Sequence, residues 1–250
     1  MNYNITKKIT KFNQSGIKMK KIVGGIQHST GNEHDHDEGN WNWFNSADRK
    51  ANAHFFIDEN SITQCVDDFN LAWHARKPAS YDRWGCEMCQ TPYENEFKEI
   101  WKRQVWLWTY LFTQVAKPRI TKITKETLRS HYEENLINHI GDGNNHTDPH
   151  AYFAKFGKTM DDMRNDVQKA IDEILDKEKK IKEVIEIFKD LDKHWAKNDI
   201  EYVAKKGIIK GVKNNDGTFS FEPDKPISRA ETSVIIARIL RKLEELNIKI

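Results

Sequence analysis

Two histidines and one aspartate lie at or near predicted boundaries between regular secondary structure and a loop. His28 follows an apolar segment and opens a polar loop, which predicts a side chain at a sheet edge facing solvent. His139 leads into another loop, and Asp148 follows nine residues later, directly before Pro149. Two histidines and one carboxylate leave a fourth tetrahedral position free for water, as at catalytic zinc sites. The spacing alone is a weak signal, because only a fold can bring ligands 111 residues apart together.

Other potential metal ligands have simpler interpretations. His54 sits within an apolar segment, which favours a hydrogen-bonded core or groove histidine. The residues 34–38 (HDHDE) have the types of metal ligands, but consecutive side chains cannot all point towards one ion. A solvated loop is therefore the better interpretation. Cys86 and Cys89 are three apart on a predicted strand and so point to opposite faces. With Cys65 they are expected to be buried free thiols.

The elements that would position these residues alternate between strands and helices. Apolar spacing of three and four residues predicts an amphipathic helix from Glu94 to Val115. A second helix is predicted over 125–137, with Thr124 as its N-cap, and residues 139–150 are predicted to be a loop. Short segments of β-branched and aromatic residues predict strands at 20–24, 53–57, 61–66 and 83–89. This order indicates an α/β or α+β layered domain.

The character of the chain changes after residue 160. A helical apolar pattern runs through a heavily charged segment over 160–188, which predicts a solvated connecting helix and a domain boundary near 170–186. Further on, helices are predicted from about Lys193 to Lys206 and from Arg229 to Leu246. Ser228 and Glu231 have the spacing of a capping box at the start of the last helix.

Composition limits the classes of function. Forty basic and 38 acidic residues give a net charge of +2, which argues against a nucleic-acid partner bound by phosphate neutralisation. No apolar run approaches the roughly 18 residues of a membrane span. The basic N-terminus lacks the apolar region of a secretory signal, and the cysteines are too few for a disulfide framework. The sequence therefore predicts a chain that is cytoplasmic when made.

Five ordered motifs over roughly residues 18–168 resemble the zinc amidase family that includes phage amidase-type lysozymes and peptidoglycan recognition proteins. The family pattern has a strand that ends in a histidine, then a small residue and a histidine that precede an apolar strand, and then a Trp-His-Ala segment. A strand with a glutamate follows, and the last motif is a histidine followed by a loop and an Asp-Pro. The corresponding segments are IVGGIQHSTGN, NAHFFIDENSITQCV, LAWHAR, WGCEMCQ and NHIGDGNNHTDP.

The resemblance implies a role for each matching residue. It makes His28, His139 and Asp148 the ligands of a Zn²⁺ cofactor and Glu87 the general base. It also implies that Trp73 and His74 form part of the substrate groove, although His74 could instead be a core residue.

Two positions depart from the family pattern. Two residues before the last ligand, where the family usually has a lysine, this sequence has His146. His146 could donate a hydrogen bond to the oxyanion as one tautomer or when protonated. Some relatives have a tyrosine directly before the histidine of the HFF strand, and this sequence has Ala53 there. The departure at Ala53 implies greater reliance on Glu87 as the base.

Residues 188–236 resemble a single S-layer-homology (SLH) repeat, from Phe188 to the Ser-Arg-Ala-Glu segment that begins at Ser228. The resemblance implies that Arg229, with Lys210 and Gly211 nearby, contacts an acidic secondary cell-wall polymer. Arginine suits this role because it grips carboxylates through two hydrogen bonds. Such repeats usually work in threes, so either the chain forms a homo-oligomer or the lone repeat binds weakly.

Together the two resemblances predict a mixed central sheet flanked by helices, joined by a helical linker to a small all-α SLH module. The predicted limits are 1–168 for the catalytic domain, 169–186 for the linker and 187–250 for the repeat. The implied function is hydrolysis of the amide bond between N-acetylmuramic acid and L-alanine in peptidoglycan. The missing export signal favours a phage or prophage endolysin that reaches the wall after release. The alternatives are a bacterial autolysin, a catalytically silent peptidoglycan-binding protein and, less favoured, an amidase for soluble muropeptides.

Overall fold

The structure is a computed structural model that describes residues 2–140, 146–186 and 188–245. The chain divides into two compact units, Tyr3–Asp172 and a second that begins at Glu173, and the division falls inside one long helix. Part of the predicted loop over 139–150, residue 187 and the residues after 245 lie outside the described residues. Within the described residues, no helix combines the length and the apolar character that crossing a bilayer requires.

The first unit is built on a six-stranded sheet with the order β1-β4-β3-β5-β2-β6. Neighbouring strands are parallel except for the antiparallel pair of β3 and β4. The predicted mixed sheet is therefore confirmed. The strands are β1 (Thr6–Lys7), β2 (Gly24–Glu33), β3 (Phe55–Ile57), β4 (Ile62–Gln64), β5 (Arg83–Gln90) and β6 (Leu128–Ser130).

Helices pack around this sheet and bury the apolar faces that their sequences predict. The predicted helix over 94–115 is present as α2, continued by one π-helical segment over Leu111–Val115. Trp108 of α2 is fully buried and donates from Nε1 to Gln27 Oε1 on β2 at 2.7 Å. The helices of this unit are α1 (Asp37–Ser46), α2 (Glu94–Tyr110), α3 (His131–Asn138), α4 (His150–Lys155) and α5 (Met160–Glu186), which continues into the second unit.

Two predicted elements differ from the observed ones. The strand predicted over 20–24 is β2, which begins at Gly24 and extends to Glu33, so that His28 lies inside the strand. The helix predicted over 125–137 is the strand β6 followed by α3. Ser130, rather than Thr124, caps α3, and a reciprocal pair of hydrogen bonds with Glu133 completes a capping box. Leu128 to Ser130 pair with β2, and this buried ladder outweighs the local helical spacing.

After α5, the described part of the second unit contains a 3-10 turn, two α-helices and a short hairpin. Its apolar cluster consists of Phe188, Leu191, Ile200 and Ala204. Ser228 and Glu231 exchange hydrogen bonds at the start of the last helix, which confirms the predicted capping box. The helix predicted from Lys193 begins at Lys197. The elements are α6 (Lys197–Lys205), β7 (Val212–Lys213), β8 (Phe219–Ser220) and α7 (Arg229–Glu245).

A close approach between β2 and α2 requires glycine at position 25. A Cβ atom at Gly25 would lie 2.2 Å from the Trp108 ring, whereas one at Gly31 on the same strand would meet nothing within 4 Å. Crowding a well-packed core typically costs about 1–3 kcal/mol. We expect Gly25→Ala to lower the free energy of unfolding by about that amount and Gly31→Ala to change it by less than about 0.5 kcal/mol.

Denaturant unfolding followed by tryptophan fluorescence would measure both variants. Seven of the eight tryptophans lie in the first unit, so the signal reports mainly on it. Equal stability of the two variants would contradict the proposed packing constraint at Gly25.

Candidate active site

The register of three parallel strands brings the key side chains together. His28 on β2 is the direct partner of Glu87 on β5. On the other side of β2, Gln27 is the partner of Ser130, the last residue of β6, so His28 lies beside His131. Parallel strands present their carboxyl ends at one edge of a sheet, where ligands of open α/β sheets commonly bind.

His28, His131 and Asp148 form a tight triangle of potential metal ligands. His28 Nδ1 lies 3.2 Å from His131 Nδ1 and 3.2 Å from Asp148 Oδ2. His131 Nδ1 lies 3.1 Å from Asp148 Oδ1. An ion bound tetrahedrally at 2.0–2.1 Å holds its ligand atoms about 3.3 Å apart, and zinc prefers nitrogen and oxygen donors of these types. The residues therefore fit such an ion.

This triangle differs from the ligand set predicted from the sequence in one residue. His139 is the C-cap of α3, while His131 is its first residue. Eight residues of α-helix separate the two by about 12 Å along the helix axis. His139 therefore lies outside the triangle, and His131 occupies the place that was predicted for it. The predicted helix over 125–137 hid His131, because it places this residue inside a helix instead of directly after a strand.

The electrostatics of the triangle favour cation binding. Burial lowers the pKa of His28 to about 4, so its imidazole is neutral at pH 7 and offers a lone pair. Burial works to raise the pKa of Asp148, but hydrogen bonds with His131 and His28 outweigh it and hold that pKa well below its usual range. The neutral imidazole of His28, a ring nitrogen of His131 and the carboxylate of Asp148 thus face one point.

Glu87 lies next to the triangle without belonging to it. Its Oε1 is 3.9 Å from His28 Nδ1. Its Oε2 is buried, and no polar group among the described residues lies within hydrogen-bonding distance of it. Burial, together with the charges of Asp148 and Asp35, raises the pKa of Glu87 well above its usual range. A carboxyl group in this environment is suited to exchange protons with a substrate.

His146 borders the triangle from the solvent side. Its ring stacks on His131, with centroids 4.4 Å apart, and its Nδ1 lies 3.7 Å from Asp148 Oδ1. Burial and the neighbouring His131 lower the pKa of His146. The side chain is 59% exposed and therefore accessible to a substrate.

A histidine on the opposite side of His28 completes the arrangement. His28 Nε2 lies 3.0 Å from His74 Nδ1, and His74 Nε2 donates to the backbone oxygen of Arg83 at 3.1 Å. Both nitrogens of the His28 ring are therefore engaged, one towards the triangle and one towards the protein.

Two clefts meet at these residues. One, of about 550 Å³, contains His28, Glu87 and Asp148. The other, of about 520 Å³, is lined by aromatic and basic side chains that include Lys50, Trp73, Arg76, Lys77 and Tyr81. His74, His131 and His146 line both.

Comparison with known families decides what kind of domain surrounds this site. Residues 18–151, more than half of the chain, match the family model described as N-acetylmuramoyl-L-alanine amidase. The chain belongs to the N-acetylmuramoyl-L-alanine amidase family. Residues 187–233 match the S-layer homology domain, so the chain combines an amidase domain with an SLH domain. Both resemblances predicted from the sequence are confirmed.

Solved structures support the fold of the amidase domain. The Staphylococcus aureus hydrolase AmiA, in complex with its ligand, matches with a TM-score of 0.59 and 16% identity, over 67% of this chain and 83% of that one. A mutant endolysin from Bacillus subtilis matches with a TM-score of 0.51 and 17% identity, over 66% of this chain and 99% of that one. The catalytic domain of XlyA has a TM-score of 0.50 and 16% identity, with the same coverage. Comparison with curated proteins finds no significant match.

The remaining candidate ligands of the amidase domain have structural roles. His54 is buried, accepts a hydrogen bond from the Gly85 amide at Nδ1 and lies 2.9 Å from the Asn70 carbonyl at Nε2, which confirms the predicted core histidine. The three cysteines are buried and free, also as predicted. In the run 34–38, Asp37 is an exception to the predicted solvated loop. It is buried at the start of α1 and accepts hydrogen bonds from the hydroxyls of Ser61 and Thr63.

The two histidines of α3 offer a matched test of the ligand set. We expect His131→Ala to lose most of its bound zinc, because the triangle then lacks one donor. His139→Ala should retain the zinc content of the parent. Metal analysis after dialysis of the purified proteins measures both. The reverse result would restore His139 as the ligand.

Proposed function

We propose that this protein is a zinc-dependent peptidoglycan hydrolase that cleaves the amide bond between N-acetylmuramic acid and L-alanine. The observation that carries the proposal is the triangle of His28, His131 and Asp148 with Glu87 beside it, inside a domain of the amidase family. The full donor set favours an enzyme over a catalytically silent peptidoglycan-binding protein. The distinction between phage endolysin and bacterial autolysin stays a prediction, and the proposed reaction is the same for both.

The residues around the triangle can each take one part of the hydrolysis. A zinc ion held by His28, His131 and Asp148 would supply a Lewis acid that polarises the scissile carbonyl and acidifies water. Glu87 then removes a proton from the attacking water and delivers it to the leaving nitrogen of L-alanine. His146, on the exposed side, donates a hydrogen bond to the carbonyl oxygen as negative charge develops there.

The cleft that contains Trp73 and His74 is suited to the peptide stem of the substrate. Its wall combines aromatic rings with the basic side chains of Lys50, Arg76 and Lys77. Peptide stems of peptidoglycan carry carboxylates, which basic side chains attract. Because this cleft shares His74, His131 and His146 with the cleft that contains Glu87, a stem bound there would keep its first amide bond close to Glu87.

Digestion of purified muropeptides tests the reaction directly. We expect the parent protein to release peptides with a new N-terminal L-alanine, detected by mass spectrometry. Glu87→Gln should retain zinc but lose activity by about 10²–10⁴-fold, the usual contribution of general acid–base catalysis.

Glu94→Gln is the matched control, because Glu94 is an exposed residue at the start of α2 that pairs with Lys98. It should act like the parent. Chelation should abolish activity and zinc should restore it. Near-parental turnover by Glu87→Gln would rule out its role as base, and cleavage at another bond would overturn the proposed reaction.

We also propose that the SLH domain holds the enzyme at the cell wall through an acidic polymer. Arg229 is exposed in the first turn of α7, and Lys210 is exposed in the loop between α6 and β7. Gly211 contributes by close packing, since a Cβ atom there would lie 2.1 Å from the Phe188 ring. Arg238 donates to the carbonyl of Ile208 at 2.9 Å and so ties α7 to the loop that carries Lys210.

The surface of α7 supports the proposal that several copies act together. No residue of α7 is buried, and Val234, Ile236, Ile239 and Leu240 are each between 38% and 51% exposed. A helix with apolar side chains in this state gains stability by packing against a partner. Association of chains would also raise wall affinity by displaying several repeats at once.

Arg229→Ala should weaken binding to intact cell walls by about tenfold to a hundredfold, the value of one or two charge-assisted hydrogen bonds. Arg241→Ala, at an exposed position further along α7, should bind like the parent. Wall pull-down measures binding, and circular dichroism verifies that both variants are folded. Parental binding by folded Arg229→Ala would remove this arginine from the wall contact.

A further inference from the structure

We propose that His74 is a positioning residue that fixes the tautomer of His28 and presents its Nδ1 lone pair to the metal. The inference rests on the metal site of the proposed function. It adds a component outside the ligand triangle, a chain of hydrogen bonds from the backbone of β5 through His74 to the ligand on β2.

The direction of this chain follows from the chemistry of its ends. The Arg83 carbonyl oxygen can only accept, so the proton of this 3.1 Å contact lies on His74 Nε2. In the neutral tautomer, His74 Nδ1 is then a lone-pair acceptor, and it lies 3.0 Å from His28 Nε2. His28 Nε2 must therefore carry the proton of the His28 ring. The remaining nitrogen, Nδ1, faces His131 and Asp148, and a cation bound in the triangle would take the place of the proton that Nδ1 shares with the Asp148 carboxylate.

The packing around His74 prevents its ring from moving away from this position. A Cβ atom at Gly85 would lie 2.4 Å from His74 Cγ, so the ring lies directly against the β5 backbone. On its other sides the ring meets His28 and His54 edge-on, with centroids 5.2 Å and 5.7 Å away. Arg83 and Gly85 of one strand thus provide both the acceptor and the space for the relay.

If His74 fixes the tautomer of His28, the affinity of the site for the metal should depend on His74. A free imidazole divides its proton between two nitrogens and rotates about its χ angles, and both freedoms must be given up when it binds a metal. Loss of a hydrogen-bond partner of a ligating histidine typically weakens metal binding 10–100-fold. His74 is in the right place to exert this effect without touching the metal itself.

The test compares two substitutions of His74 in the full chain. His74→Leu removes the acceptor at similar volume, and it should weaken zinc binding by about 10–100-fold. His74→Asn places an amide oxygen at the same number of bonds from the backbone as Nδ1. It should therefore retain affinity within a few-fold of the parent. Zinc dissociation constants are measured by competition with a chromophoric chelator, and thermal melts of the zinc-free proteins verify folding.

His54 provides the matched control because it is a buried histidine that likewise lies beside Gly85, but its ring nitrogens contact only backbone groups. His54→Leu should lower thermal stability and leave the zinc dissociation constant unchanged, and His54→Asn serves if the leucine variant does not fold. Parental affinity in folded His74→Leu would overturn the inference, as would equal losses in His74→Leu and His54→Leu. A parent protein that binds no zinc would instead overturn the proposed function, and this inference with it.

Discussion

The parallel pairing of β2 with β5 on one side and β6 on the other is the constraint on which the site depends. One register places His28 opposite Glu87, and the second places it beside the residue that follows Ser130. A shift of one residue in either ladder would turn these side chains to the opposite face of the sheet. The close approach of Gly25 to the buried Trp108 ring fixes the position of β2 against α2.

Much of the amidase domain could be predicted from local sequence patterns. The strands around Phe55 and Glu87 and the helix that begins at Glu94 are found where their patterns place them, because each buries a continuous apolar face. His28 and Asp148 could be selected because each matches a motif of the family. Their proximity could not be derived from spacing, since it is produced by pairing between strands that are distant in sequence.

The helix start near His131 was predicted too early in the sequence for a physical reason, and the sequence contains a signal for the correct start. Residues 125–137 have apolar spacing that suits a helix, but Leu128 to Ser130 gain more by extending the sheet. Ser130 and Glu133 have the spacing of a capping box, which places the helix start at His131. The same pattern was recognised correctly at Ser228 and Glu231, where no competing strand precedes the helix. Capping signals therefore locate a helix start better than apolar periodicity does when a short strand comes first.

The location of β6 at the edge of the sheet gives the proposed metal a mechanical role. An edge strand of three residues has one neighbour and opens more easily than the strands inside the sheet. An ion bound by His28, His131 and Asp148 would cross-link β2, the residue that follows β6 and the segment before α4, in addition to the hydrogen bonds that already join them. Such a link closes loops whose ordering is costly in entropy. The ion would thus fasten the border of the sheet at β6, and its release would free the strand end that precedes one of its own ligands.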